Sequence, residues 1–263
     1  MSAATPPGLT ATIAGIGFWT DGLPDWDAAT AFARDGVRPD TAPARPAPQL
    51  LAPNERRRAP GSVAVALEVA LAACRAADRD PATLPSVFAS THGDLAITDY
   101  MCETLASAPL TLSPTRFHNS VHNAAAGYWT IGAGCTEAAT AISAFDGTFA
   151  QGLLEAMLQL ASGSEAVLLV AYDTAATGLL GTVTHSEGLL GAALVLSRGG
   201  AGPRLSLDLR DGDDAPATGP LAALAARNAM AQMLPLFDAL ACGAPEARLK
   251  AGPHRQLVVE IAR

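Results

Sequence analysis

Residues 140–173 set the first limit on how this chain folds. Residues 140–143 (TAIS) form a short β-prone run, Gly147 supplies a turn, a helical stretch runs to about residue 162, and residues 163–173 (GSEAVLLVAYD) follow as a turn and an apolar strand. A strand that is apolar along its whole length is buried on both faces, the habit of parallel strands covered by helices. The pattern predicts an α/β protein, with polar site residues where its strands end.

The chain has 263 residues, 49% of them hydrophobic, and a net charge of −8. That is enough to bury one large core or two small ones, and it provides no basic patch of the kind nucleic acid requires. The longest apolar runs span about seven residues, against the roughly 20 needed to cross a bilayer. Residues 1–10 contain Pro6 and Pro7 but neither the charged start nor the apolar core of a signal peptide. A flexible N-terminus and a cytoplasmic protein are expected. Cys74, Cys102, Cys135 and Cys242 lie far apart without a CxxC pair, which predicts reduced, mostly buried thiols rather than a zinc site or a disulfide framework.

Residues 11–18 (ATIAGIGF) read as a strand ending on glycines, followed by a short helix around residues 26–34. A dinucleotide fingerprint would need a third glycine and a later acidic residue, and neither is present. Six prolines in residues 39–60 predict an extended surface loop. Within it Glu55, Arg56, Arg57 and Arg58 fit either a solvated or capping cluster or a contact for an acidic partner. From Ser62, Val63, Leu67, Ala70 and Cys74 share one helix face that Val65, Val69 and Ala72 widen, so the helix is buried nearly all round. A short strand over 86–90 runs into Thr91, His92, Gly93 and Asp94. Asp94 suits a helix cap, and His92 with Asp94 is also a candidate catalytic pair. Tyr100, Met101 and Leu105 continue as one apolar helix face.

Two anchors give the chain a family resemblance. Ser113, Pro114, Asn119, Asn123 and Gly127 form a frame, and residues 140–147 form a strand-to-helix turn. Together they resemble the N-terminal half of a β-ketoacyl synthase, a thiolase-like condensing enzyme. The resemblance implies a layered helix/sheet/helix α/β fold, with the frame opening a helix at a dimer interface and the turn carrying a nucleophilic cysteine. A thiol there would be acidified by the helix N-terminus. Here the matching position is Ala144, and a methyl group cannot be acylated. Residues 163–173 and 185–196 match two further family strands, but the intervening lid is several times shorter than usual. Residues 204–210 and 256–261 read as strands, residues 211–218 as an acidic loop, and residues 220–242 as a helix kinked or split by Pro235. Neither of the family's second-half histidine and asparagine motifs occurs.

Three losses (cysteine, lid and second-half polar residues) therefore point to a catalytically silent homologue. The chain resembles a short chain-length factor of a type II polyketide or aryl-polyene-like system. Its implied organisation is a flexible 1–10, a ketosynthase-like domain over 11–197, and a second half over 198–263 truncated to a β-α-β remnant packed on the same domain. The implied partners are an active β-ketoacyl synthase, in a heterodimer, and transiently an acyl carrier protein. Met101, Phe117, Tyr128 and Phe145 are expected at the acyl tunnel, and Asn119, His122, Asn123 and Trp129 at the interface. No cofactor and no metal are expected: His118 and His122 stand at i and i+4 but show no third ligand. The alternatives are a self-sufficient acyltransferase or thioesterase using Cys135, or a serine with His92 or His185, and a homodimeric acyl-binding protein. Spacing disfavours Cys135, because no turn glycine follows it as Gly147 follows Ala144. Ser186 beside His185 lacks the Gly-x-Ser-x-Gly elbow.

Overall fold

The computed structural model describes residues 9–213 and 218–263. The expected flexible segment 1–10 lies outside them except for its last two residues, and so does half of the acidic loop, residues 214–217. β1 (Leu9–Thr20), β2 (Ser86–Ala89), β3 (Ala139–Ile142), β4 (Ala166–Asp173), β5 (Leu190–Ser197), β6 (Arg204–Asp211), β7 (Glu246–Gly252) and β8 (Arg255–Ala262) form one sheet in the order β3-β2-β4-β5-β1-β6-β8-β7. β2 is parallel to β3 and β4, while β5 returns antiparallel between β4 and β1. The β2–β3–β4 end therefore collects three strand C-termini along one side.

Side-chain alternation divides the core. On β4, Val167, Leu169 and Ala171 enter one layer, and Leu168, Val170 and Tyr172 the other. The second layer is closed by α3 (Gly61–Ala76) and α6 (Ala124–Ala133). Ten α3 residues are buried, as its unbroken apolar surface requires. Gly15 and Gly17 explain how closely it sits: a Cβ at Gly17 would collide with the Val69 carbonyl, and one at Gly15 with that of Ala73. The glycines of β1 thus admit a helix backbone, not a phosphate.

The first layer is closed by α1 (Trp26–Asp35), α7 (Thr148–Ala161) and α9 (Leu234–Cys242). Phe237 joins the three, with ring centroids 5.8 Å from Phe18, 5.8 Å from Trp26 and 6.1 Å from Phe149. Each such pair adds about 0.5–1.5 kcal/mol beyond its burial, so the last third of the chain is welded to the first. The opposite face of the β6–β8–β7 end is exposed at Arg204, Asp208, Arg248 and Glu260.

Several sequence expectations change. The last third holds the expected strands β6 and β8 with helices between them, and it adds β7, which pairs with β8 in a hairpin. Its alternation of buried Ala247, Leu249 and Ala251 with Glu246, Arg248 and Lys250 is short and charged enough to pass as loop. Of the kinked or split helix expected over residues 220–242, the structure shows the split: α8 (Pro220–Leu224), a 3₁₀ segment over Ala229–Met233 and α9 follow one another. Pro235 lies in the first turn of α9, where its missing N–H is no loss. The proline-rich loop contains α2 (Pro53–Arg58), also begun by a proline. Cys102 and Cys242 are exposed; Cys74 and Cys135 are buried, and burial pushes the Cys74 thiol up to about 12.

The α3–β1 contact makes Gly17→Ala the most informative fold mutation. It is expected to cost about 1–3 kcal/mol through overpacking, read as a lower urea midpoint at unchanged m-value.

Candidate functional site

The turn between β3 and α7 keeps a strained geometry. Phe145 has φ +53°, in the left-handed region, at a cost on the order of 1–2 kcal/mol for a non-glycine residue. Three contacts hold it there. Thr148 Oγ1 accepts from the Ala144 N–H (2.9 Å) and donates to the Phe145 carbonyl (2.6 Å). Gly147 lies so close to β7 that a Cβ would come 2.9 Å from the Ala251 carbonyl carbon. Asp146 pairs with Lys250 of β7 at 2.9 Å. Ala144 thus occupies the strand-to-helix turn but presents a methyl group, and the Ala144 N–H, a donor that could face a developing oxyanion, is engaged by Thr148.

Behind the turn is a polar lattice at the ends of β2 and β4. Asp173 is buried and accepts from the Ser90 hydroxyl (2.7 Å), the Thr91 N–H (3.0 Å) and the His92 N–H (3.3 Å). Burial pushes its carboxyl above the ordinary carboxylate range, with these donors pulling the other way. Asn228, also buried, donates to the carbonyls of Asp173 (3.3 Å) and Glu187 (3.0 Å). Gln232 donates to the Phe145 carbonyl at 3.1 Å and accepts from the Phe149 N–H at 3.3 Å. Sequence reasoning passed over Asp173, Asn228 and Gln232. A lone carboxylate closing an apolar strand could have signalled Asp173; nothing local marks the other two.

The rival nucleophiles sit elsewhere. Cys135 is buried before the opposite, N-terminal end of β3, with its thiol on the Leu84 carbonyl (3.5 Å). Ser186 is buried, donating to the Thr174 carbonyl and accepting from the Ala229 N–H, and His185 is exposed. The His92 ring packs edge-on to Phe145 at 6.3 Å, whereas Asp94 caps α4 (Leu95–Ser107) and accepts from the Ser62 hydroxyl. Among the described residues no three His, Cys, Asp or Glu side chains gather at metal-binding distance. His122 instead bonds the Ser90 carbonyl (2.8 Å), and His118 meets the Tyr128 ring.

The expected tunnel and interface residues do not converge within the chain. Phe145 is 72% and Phe117 58% exposed, while Met101 is half-buried on α4. Tyr128, alone of the four, lines a groove of about 370 Å³ with Leu51, Val121 and Ile131, and donates to Asn119 Oδ1. Trp129 corrects the expectation of surface presentation: it is fully buried on Phe88, because α6 turns that face onto the sheet. Asn119 is buried as well, His122 is half-buried and Asn123 is exposed. Leu105, expected on one apolar face of α4 with Tyr100 and Met101, is exposed.

The family model described as beta-ketoacyl synthase, N-terminal domain, matches residues 26–255, and the chain belongs to that family. No protein with a curated description matches it in sequence. Among solved structures it is similar to the ketosynthase ApeO in complex with its chain length factor ApeC from Xenorhabdus doucetiae, at 23% identity and a TM-score of 0.75, covering 95% of this chain and 99% of that chain. It is also similar to the ishigamide ketosynthase/chain length factor (15%, TM-score 0.71, 96% and 99%). A third match is AntDE:AntF, a type II acyl carrier protein in complex with its ketosynthase (12%, TM-score 0.72, 96% and 99%). The fold is thus the thiolase-like α/β fold of ketosynthases. No helix among the described residues is long and apolar enough to cross a membrane.

Two predictions follow from the site. Ala144→Cys restores a thiol but not condensation: product formed from acyl and malonyl thioesters by the variant alone is expected to equal the wild-type background. A carboxyl whose folded pKa is raised holds a proton that the unfolded chain has lost, so Asp173 contributes stability below the usual carboxylate pKa of about 3.9 that is lost as pH rises toward its raised value. Asp173→Asn should remove that part of the pH slope, measured by urea unfolding across the acid range.

Proposed function

We propose that the chain is a non-catalytic, ketosynthase-like chain-length factor. It pairs with an active β-ketoacyl synthase and shapes the acyl tunnel of the pair during polyketide, polyene or fatty-acyl elongation. The observation that carries this reading is the turn after β3: its strained backbone is kept by three sets of contacts, yet it holds a methyl group at Ala144 and engages its own N–H with Thr148. A turn retained without its chemistry is retained for its shape.

The surface beside that turn supports the pairing. Among the described residues β3 is an edge strand bonded only to β2, and Ala139–Ile142 carries no charge. Exposed edges are normally blunted with charge, as β7 is by Glu246, Arg248 and Lys250. Exposed Val121 and Ile131 line one groove, α6 packs on β3, and exposed Phe145 follows β3 in the chain, apolar surface of the kind an interaction site presents. Asn123 belongs to the same surface, whereas Asn119, His122 and Trp129 would act from behind it. In this reading residues 198–263 are the truncated second half, an acyl carrier protein visits the pair transiently, and the pair works in the cytoplasm.

Native mass spectrometry of the chain co-expressed with its neighbouring ketosynthase tests the proposal. A one-to-one complex is expected, and Ala141→Asp on the β3 edge should weaken it at least tenfold. A stable homodimer that ignores the ketosynthase would refute the proposal and favour an acyl-binding homodimer.

A further inference from the structure

One side chain from the last third reaches the turn without belonging to any part of the site described by the family frame. Gln232 lies half-buried on the 3₁₀ segment Ala229–Met233. The backbone N–H of Phe149 can only donate, so the Gln232 atom 3.3 Å from it is Oε1. That fixes the amide's orientation and turns Nε2 toward the carbonyls of Phe145 and Ala229, each at 3.1 Å, with Thr91 Oγ1 at 3.4 Å. The amide thus spans the turn after β2, which carries His92, and the turn after β3, which carries Phe145. The rings of these two residues are in edge contact across the gap.

A left-handed non-glycine residue persists only where its surroundings over-determine it. Thr148 is part of the turn itself, and Gly147 and Asp146 are fixed against β7 beyond Phe145. Gln232 is the contact that reaches the strained carbonyl from a distant segment and ties it to the other ring-bearing turn. We propose that Gln232 is a positioning residue: it holds Phe145 left-handed and clamps the two turns, so fixing where the exposed Phe145 ring stands and, through it, where the acyl chain in the pair stops. The last clause rests on the chain-length-factor reading; the clamp itself does not.

The test uses the co-expressed pair. Three variants are compared with wild type: Phe145→Ala, Gln232→Leu, which keeps volume without either hydrogen-bonding group, and their combination. Assembly is read by native mass spectrometry and product length by mass spectrometry of released chains. Phe145→Ala should shift the dominant product by at least one elongation unit. Gln232→Leu should shift it in the same direction, changing the product ratio at least fivefold with the complex intact, and should add nothing in the Phe145→Ala background. If the Gln232→Leu pair fails to assemble, Gln232→Glu takes its place, since it keeps the acceptor for Phe149 and loses the donor to Phe145. A Phe145→Ala shift without a Gln232 effect, or an equal Gln232 effect in both backgrounds, overturns the positioning role.

If Phe145→Ala leaves product length unchanged, the tunnel reading of this turn fails. The clamp is then decided by melting temperatures: Gln232→Leu should lower Tm in wild type but less than half as much in Phe145→Gly, where glycine adopts φ +53° without strain. Equal losses in the two backgrounds overturn it.

Discussion

The structure depends on β1 lying in the middle of the sheet. It pairs with β5 along residues 12–20 on one side and with β6 along residues 9–12 on the other, so the ketosynthase-like strands and the C-terminal hairpin share a single strand. β1 can do this because Gly15 and Gly17 let α3 settle directly on its backbone, while its opposite face feeds Ile13 and Phe18 into the layer that Phe237 completes. With α3 drawn in, β2 and β4 are covered on both faces, and their polar C-terminal residues are confined to one side of the sheet.

That confinement gives the site its character. Asp173 is buried and accepts from one hydroxyl and two backbone N–H groups. Its contacts tie the turn after β2 to the end of β4. Thr148 likewise bonds both sides of the strained turn. The polar groups near Ala144 are spent on one another, and what faces outward is a ring, Phe145. The turn thus sets an exposed ring on a fixed backbone.

Much of this was legible from local pattern. The all-round apolar helix from Ser62, the buried strand over 166–173 and the strand–turn–helix at 140–147 each repeat a periodicity that only one local structure satisfies. Matching Ala144 to the family's nucleophile position rests on the resemblance of the frame and not on local pattern. Where the reading erred, local and tertiary signals diverge. Trp129 looked like an interface residue because it is large and lies in the frame, yet α6 packs that face on Phe88. Pro235 suggested a kink or a split, and only the packing decides for the split, with the proline in the first turn of α9. β7 was missed because an edge strand needs only half its residues to be apolar, and charges fill the rest.

The sequence by itself determined the α/β class, the order of its strands from β1 to β5, and the methyl group at position 144, since these follow from side-chain periodicity and from residue identity. The tertiary structure decided which residues surround that position. Gln232 meets Phe145 across 87 residues and Asn228 meets Asp173 across 55. Contacts of that separation leave no period in the chain, because an amide can bond to any carbonyl the fold brings near it, and only the packing of the last third onto the first selects which one.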